Sequence, residues 1–188
     1  MDKTLLRYKF SILGDSNTGK TSICVRYVNK RYEQIFQSTI GCSFMGKILE
    51  YKNNKYNLDI WDTAGQERYR SILPMYYRNA DIVFICIDMC NSKSYETIDY
   101  WNDELKKHGD NINNEMIIVG TKSDLVSKDD SITLRNKIEN HYPFNSYFET
   151  SSKDDIGINE LFIYCLEKCL EKKAVKDIQN NKQIISIT

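Results

Sequence analysis

Hydrophobic and polar positions along this 188-residue chain follow two different periods. Continuous apolar runs at 82–87 and 116–120 are typical of parallel strands that are buried on both faces. Apolar residues at spacings of three and four predict helices at 92–108, at about 129–140 and from 158 to about 173. Strands that alternate with helices in this way predict a mostly parallel sheet with helices on both faces.

The remaining strands and one further helix come mostly from the first half of the chain. Residues 8–13 predict a strand and 22–28 a helix, and a last short strand is predicted at 145–149. Residues 42–51 and 55–61 predict two strands separated by an Asn-Asn turn, which is the pattern of an antiparallel hairpin. The prediction is therefore one α/β domain with a six-stranded, mostly parallel sheet in which one hairpin strand is antiparallel.

Length and composition change this picture little. We assign residues 1–173 to the domain and 174–188, which are polar and rich in Asn, Lys and Gln, to a disordered tail. The chain carries 26 basic and 26 acidic residues, so we expect no nucleic-acid partner, and we expect a monomer. No apolar run is long enough to span a membrane. The six cysteines lack metal-ligand spacing, which predicts free thiols in a reducing, cytoplasmic compartment.

Residues 14–21 fit the phosphate-loop pattern G-x-x-x-x-G-K-[ST] between a predicted strand and a predicted helix. Glycines let successive N–H groups turn towards a polyphosphate, and the helix N-terminus adds positive potential. The lysine can reach the outer phosphates and the threonine hydroxyl can ligate Mg²⁺. The alternative is a chance glycine turn before a helix. The predicted phosphate-binding residues are Asp15, Ser16, Asn17, Thr18, Gly19, Lys20, Thr21 and Ser22.

A second motif follows the second hairpin strand. Asp62 ends that strand and can hold Mg²⁺ through a water, while Gly65 can offer its N–H to a γ-phosphate without a side-chain clash. Gln66 then stands where it can orient a water for in-line attack. The phosphate loop alone leaves kinases, ATPases and GTPases open, and this motif favours a nucleotide hydrolase over an ordinary D-x-x-G turn.

The stretches GDSNTGKTS, STIG and WDTAGQERYRSILPMYYRNAD resemble small GTPases of the Rab branch of the Ras superfamily, over about residues 5–173. The last two of these stretches are most similar to those of the endosomal Rabs. The resemblance implies a P-loop NTPase fold with a single G domain, GTP or GDP and Mg²⁺ as ligands, and slow hydrolysis stimulated by an activating protein. It also implies an exchange factor, effectors that read two switch segments (29–41 and 62–79), and a role in vesicular membrane trafficking.

The resemblance also assigns roles to three residues of the first switch segment. Thr39 matches the threonine that binds Mg²⁺ and the γ-phosphate, Tyr32 the aromatic that packs on guanine, and Phe36 the aromatic over the phosphates. For the two aromatics, simple loop packing is the alternative. The resemblance thus predicts two sets of residues. The catalytic set is Gln66, Lys20 and Thr39, and the metal ligands are Thr21, Thr39 and Asp62.

Base recognition departs from the family pattern at two positions. Thr121 stands where the family has asparagine, whereas Lys122 and Asp124 are intact, and the resemblance implies that this aspartate reads guanine. In the last base-contacting segment, Ser151, Ser152 and Lys153, the middle residue replaces an alanine whose contact is a backbone N–H. In the phosphate loop, Asn17 replaces a small residue, and we expect the turn to survive because asparagine tolerates left-handed backbone angles.

Three aromatics, Phe44, Trp61 and Tyr76, match the Rab triad at the effector surface; the alternative is that they are ordinary core aromatics. Rabs usually end in prenylated cysteines, but no cysteine follows Cys169. Association with the cytosolic face of endomembranes is therefore expected only if a lipidated C-terminus is missing from this chain. The rival functions are a nucleotide-bound scaffold with little turnover, a pseudo-GTPase, and a phosphoryl-transfer kinase.

Overall fold

The computed structural model describes residues 5–34, 37–108, 115–143 and 146–185, with side chains described to residue 179. It contains the six predicted strands. They are β1 (Leu6–Leu13), β2 (Cys42–Tyr51), β3 (Asn54–Thr63), β4 (Ile82–Asp88), β5 (Glu115–Thr121) and β6 (Ser146–Glu149). The helices are α1 (Lys20–Asn29), α2 (Leu73–Tyr77), α3 (Ser92–His108), α4 (Lys128–His141) and α5 (Ile158–Ile185).

The strands form one sheet in the order β2-β3-β1-β4-β5-β6. Only the β2–β3 pair is antiparallel among the described strands, with Phe44 opposite Trp61, and every other pair is parallel. The predicted fold class, a mostly parallel six-stranded sheet with one antiparallel hairpin strand, is confirmed. Because β1 lies in the middle of this order, its carboxyl end opens at the centre of one sheet edge, where ligands of such folds bind.

Two hydrophobic clusters lie on opposite faces of the sheet. One contains side chains of α1 and α5, with the rings of Tyr27 and Phe162 stacked at 3.7 Å between centroids. The other contains side chains of α2, α3 and α4, including Trp101 and Ile138. The apolar run of β4 is buried from Ile82 to Ile87 because helices cover it on both sides. Helices on both faces are therefore confirmed.

Two short helices were not predicted, and the end of the last helix differs from its prediction. The segment 62–79 contains a 3₁₀ helix at Glu67–Ile72 followed by α2, neither of which is long enough to give a readable period. The last helix does not end near residue 173 but continues to Ile185, so the predicted helix end is wrong. Residues 174–185 contain neither glycine nor proline, and several are good helix formers, so nothing in the sequence stops the helix. The division into a domain and a disordered tail stays a prediction.

Cysteine burial fits the free-thiol interpretation. Cys24, Cys86, Cys165 and Cys169 are buried, Cys42 is half-buried and Cys90 is exposed, and all six are free thiols. Among the described residues, no helix is long and apolar enough to cross a membrane.

Candidate functional site

The glycine loop joins β1 to α1 at the central carboxyl end of the sheet. Gly14 has φ +137°, and a Cβ there would collide with the carbonyl oxygen of Cys86 on β4, so this position requires glycine. Asn17 adopts φ +64°, the left-handed conformation that asparagine was expected to tolerate. The turn therefore survives the substitution of a small residue by asparagine.

A cavity of about 330 Å³ opens above this loop. Its lining includes most of the predicted phosphate-binding residues, namely Ser16, Asn17, Gly19, Lys20, Thr21 and Ser22. The Lys20 ammonium lies 2.8 Å from the Gly14 carbonyl oxygen and 2.6 Å from that of Asp15, and donates to both. Burial lowers the pKa of Lys20, which is only 5% exposed. A polyanion bound in the cavity would therefore meet a desolvated positive charge.

The other two predicted loop residues have their side chains engaged within the protein. Thr18 is buried and donates its hydroxyl to the Asp15 carbonyl at 2.9 Å. Asp15 places a carboxylate oxygen 3.7 Å from the Arg70 guanidinium. These side chains hold the loop in its shape.

Three oxygen-bearing side chains converge beside the loop. The hydroxyl of Thr21 lies 2.7 Å from an Asp62 carboxylate oxygen and 3.0 Å from the Thr39 hydroxyl, which is 3.5 Å from the same carboxylate oxygen. The other Asp62 oxygen is buried without a hydrogen-bond partner. Burial raises the pKa of Asp62 to about 6. Two hydroxyls and a buried carboxylate form the oxygen-rich donor set that suits Mg²⁺.

The second switch segment lies directly against the phosphate loop. A Cβ on Gly65 would come within 2.5 Å of the Asp15 carbonyl oxygen and of the Lys20 ammonium, so a larger residue would push the segment away. The N–H of Ala64 donates to the carbonyl of Gly41 at 2.8 Å, which ties the two switch segments together. Gln66, half-buried, lines the same cavity.

The base-side residues occupy two neighbouring loops after β5 and β6. The Asp124 carboxylate, 8% exposed, accepts from the Ser151 hydroxyl at 2.7 Å and lies 4.0 Å from the Lys153 ammonium. Lys122 lines the cavity and pairs with Asp88 at 2.7 Å. Ser152 is half-buried in the second loop.

The Thr121 hydroxyl is engaged within the protein, and its contact with the base stays a prediction. Thr121 is buried, and its hydroxyl lies 2.8 Å from the Thr18 carbonyl oxygen and 3.1 Å from that of Ile87. A hydroxyl has one proton, so it can donate to one of these carbonyls at a time. Thr121 therefore ties the end of β5 to the phosphate loop.

Of the two aromatics predicted around the nucleotide, Tyr32 lines the cavity and is 39% exposed. It is therefore not packed as a core residue, and its stacking on a base stays a prediction. Phe36 lies outside the described residues.

The predicted effector aromatics form a continuous cluster. The ring centroids of Phe44 and Trp61 are 5.2 Å apart, and those of Trp61 and Tyr76 are 5.8 Å apart. Phe44 is 51% exposed and the other two are half-buried, with Tyr76 also packed against the core, so the cluster reaches from the core edge to the surface. Ile40 and Met75, also exposed, belong to the two switch segments beside it.

Sequence reasoning missed three residues that hold the site together. Arg26 on α1 bonds to carbonyls of the 151–156 loop, Arg70 joins Asp15 and stacks on Tyr100, and Asp88 pairs with Lys122. These contacts link residues far apart in sequence. The hint for Arg26 is a lone arginine inside an otherwise apolar helical stretch, ICVRYV.

A glycine loop of this kind, at the carboxyl end of a central strand in a sheet covered on both faces, defines the class of P-loop nucleotide-binding domains. A sequence model of the Ras family matches residues 9–171. The chain therefore belongs to the Ras family and, within it, to the Rab small GTPases, as the relatives below indicate.

Three relatives cover most of the chain. It is 36% identical to the Ras-related protein Rab-10 of Diplobatis ommata over 185 residues, which are 97% of this chain and 91% of that protein. It is 38% identical to Rab-22A of Homo sapiens over 159 residues, 85% of this chain and 81% of the relative. It is 34% identical to Rab7 of Vigna aconitifolia over 182 residues, 94% of this chain and 87% of the relative. The resemblance read from the sequence motifs is confirmed.

Proposed function

We propose that the protein is a guanine-nucleotide-dependent switch that binds GTP or GDP with Mg²⁺ and slowly hydrolyses GTP. The observation that carries this proposal is the meeting of both switch segments at the phosphate loop. The Thr39 hydroxyl lies 3.0 Å from that of Thr21, and Gly65 lies against the Asp15 carbonyl and the Lys20 ammonium. A γ-phosphate bound there can hold both segments, and its loss releases them.

In this proposal the hydroxyls of Thr21 and Thr39 would ligate the metal, and Asp62 would hold it through a water. When bound, Mg²⁺ would supply positive charge that offsets the negative charge developing on the phosphate during hydrolysis. Support comes from the Asp62 carboxylate oxygen that is buried without a hydrogen-bond partner, because a cation beside it would offset the cost of burying this charged group.

For hydrolysis, we assign Gln66 to orienting the attacking water and Lys20 to neutralising phosphate charge. Among the described residues, two arginines contact the site, and both are already engaged: Arg26 with backbone carbonyls and Arg70 with Asp15 and Tyr100. We therefore propose that an activating protein supplies the arginine finger. Intrinsic turnover is then on the order of 10⁻³ per second or below.

For the base, we assign guanine recognition to the Asp124 carboxylate and stacking to the stem of Lys122 and to Tyr32. We assign contact with the guanine 6-oxygen to the 151–153 segment.

For partners, we assign effector binding to the aromatic cluster of Phe44, Trp61 and Tyr76, since large exposed aromatics are typical interface anchors. We further propose a role in membrane trafficking, with regulators at the switch segments. Relatives named Rab-10, Rab-22A and Rab7 support the Rab assignment, and membership of the endosomal branch is proposed from the motif resemblance.

Release of labelled GDP, with and without EDTA, tests the metal part of this proposal. EDTA should accelerate GDP release from the wild-type protein by roughly tenfold or more. The chelator removes the metal ion, which would be the largest positive charge attracting the phosphates. In Thr21→Ala, release should already be fast with Mg²⁺, and EDTA should add little. Thr133→Ala removes a hydroxyl that donates only within α4 and should behave like wild type.

Two outcomes of this experiment would contradict the proposal. If EDTA leaves wild-type release unchanged, the oxygen cluster is not a metal site. If ATP displaces bound GDP as well as GTP does, the protein is not a guanine-specific switch.

A further inference from the structure

We propose that Arg26 is a positioning residue for guanine-nucleotide retention, acting through the backbone of the loop 151–156. The inference rests on the proposed function, since it concerns how that site keeps its nucleotide. The guanidinium of Arg26 donates through Nε to the Ser152 carbonyl at 2.6 Å and through Nη2 to the Lys153 carbonyl at 2.9 Å. A planar guanidinium with donors fixed in a fork can hold two successive carbonyls at once.

These two bonds set the orientation of successive peptide units. A trans peptide unit is planar, with its N–H pointing opposite to its carbonyl. By holding the Ser152 carbonyl, Arg26 turns the N–H of Lys153 away from α1. By holding the Lys153 carbonyl, it turns the N–H of Asp154 away as well, and that N–H donates to the Ser151 hydroxyl at 3.0 Å.

The Ser151 hydroxyl connects this arrangement to the base-reading carboxylate. It donates to Asp124 at 2.7 Å while it accepts from Asp154. The ends of the loop are closed by a pair of backbone bonds between Ser151 and Ile156, both 3.0 Å. The ends are thus fixed by backbone bonds, whereas between them Arg26 holds the carbonyls of Ser152 and Lys153.

Arg26 also joins this loop to the other parts of the site. Its helix starts at Lys20, the phosphate-loop lysine, so α1 is a rigid connection between the phosphates and the base. Its Nη1 lies 3.5 Å from the carbonyl of Lys30, which ends α1 with φ +56° at the root of the first switch segment. One guanidinium therefore contacts both the base loop and the start of the segment that carries Tyr32.

The contact has a specific chemical consequence. Of the two N–H groups that Arg26 orients, that of Asp154 donates to the Ser151 hydroxyl, whereas that of Lys153 belongs to the 151–153 segment that we assign to the guanine 6-oxygen. Loss of Arg26 should therefore weaken the contact to that oxygen, while the contacts of Asp124 to N1 and the 2-amino group are less affected. A residue that only stabilises the fold would weaken every base contact alike.

The test compares release of GDP and of 6-thio-GDP, which has sulfur, a weak acceptor, in place of the 6-oxygen. With Mg²⁺ present, Arg26→Met should accelerate GDP release by about tenfold or more, because it removes two charge-assisted hydrogen bonds. The same change should accelerate 6-thio-GDP release by less than about threefold, since the contact it disturbs is already weak in that complex. Arg26→Lys keeps the charge but cannot hold two carbonyls at once. Its acceleration of GDP release over 6-thio-GDP release should lie between those of wild type and Arg26→Met.

Arg7→Met is the matched control, because Arg7 is exposed on β1 and bonds to Asp59 on β3. It should change neither release rate. Equal acceleration of both nucleotides by Arg26→Met and Arg26→Lys would reduce Arg26 to a structural residue and overturn the inference, as would unchanged GDP release. Wild-type protein that does not retain GDP would remove the proposed function and this inference with it, and the wild-type rates alone identify that case.

Discussion

Replacing Gln66 with leucine should remove most GTP hydrolysis and leave nucleotide binding intact. Gln66 follows Gly65, which lies against the phosphate loop, and its half-buried side chain lines the cavity. Leucine has a similar volume but can neither donate to nor accept from a water, so the attacking water loses its orientation. Oriented groups of this kind contribute about 10²–10³-fold to a rate.

Two measurements separate the hydrolysis step from binding. Single-turnover hydrolysis of bound GTP should fall in Gln66→Leu by at least about tenfold without an activating protein. With an activating domain that supplies only an arginine, the stimulation of roughly 10³–10⁵-fold should be lost. GDP release should stay within about twofold of wild type, because the side chain makes no ground-state contact that holds the nucleotide.

Gln179→Leu makes the same chemical change on the exposed surface of α5 and should alter neither rate. Unchanged hydrolysis in Gln66→Leu, both intrinsic and stimulated, would remove Gln66 from the mechanism. Faster GDP release in this variant would instead make Gln66 part of the binding site.

Replacing Asp124 with asparagine should cost guanine discrimination. A carboxylate accepts hydrogen bonds from both N1–H and the 2-amino group of guanine, whereas an amide presents only one acceptor and adds a donor. A site built to bond a polar group loses several kcal/mol at most, roughly 2–5, when that match is broken. GDP release should therefore accelerate by two or more orders of magnitude, on the order of 10²–10³-fold.

The added amide donor predicts a compensating gain. Xanthosine diphosphate carries an oxygen where guanosine diphosphate carries the 2-amino group, and the asparagine N–H can donate to it. Asp124→Asn should therefore retain xanthosine diphosphate better than wild type does. Asp129→Asn, an exposed position at the start of α4, is the control and should change neither nucleotide. Equal GDP retention by Asp124→Asn and wild type would show that base reading does not depend on this carboxylate.

The sequence predicted the fold and the phosphate side of the site because both depend on local patterns. The buried runs of β4 and β5 and the alternating hairpin of β2 and β3 each satisfy a period that strands require. The phosphate loop is contiguous in sequence, so its position between β1 and α1 follows from the motif. The left-handed conformation of Asn17 could be predicted for the same reason, because the tolerance of asparagine for this conformation is a property of the single residue.

The features that sequence reasoning missed depend on contacts between distant segments. Arg26 meets Ser152 across 126 residues, and Lys122 meets Asp88 across 34, and no period or motif encodes these distances. The Thr121 hydroxyl reaches the Thr18 carbonyl of the phosphate loop across 103 residues, a contact that sequence reasoning did not include, while its contact with the base stays a prediction.

The length of α5 could not be predicted for a different reason. A polar composition favoured a disordered tail, but a polar stretch without glycine or proline is also compatible with a solvent-exposed helix. Composition alone does not separate the two states.

The central claim, that this chain is a guanine switch, is tested most directly by single-turnover hydrolysis of GTP on purified protein with Mg²⁺, with ATP as the control. Bound nucleotide is followed by chromatography over hours. The proposed function predicts slow conversion of bound GTP to GDP, on the order of 10⁻³ per second or below, and no retention of ATP. Tight GTP binding without conversion over many hours would contradict it and leave a nucleotide-bound scaffold.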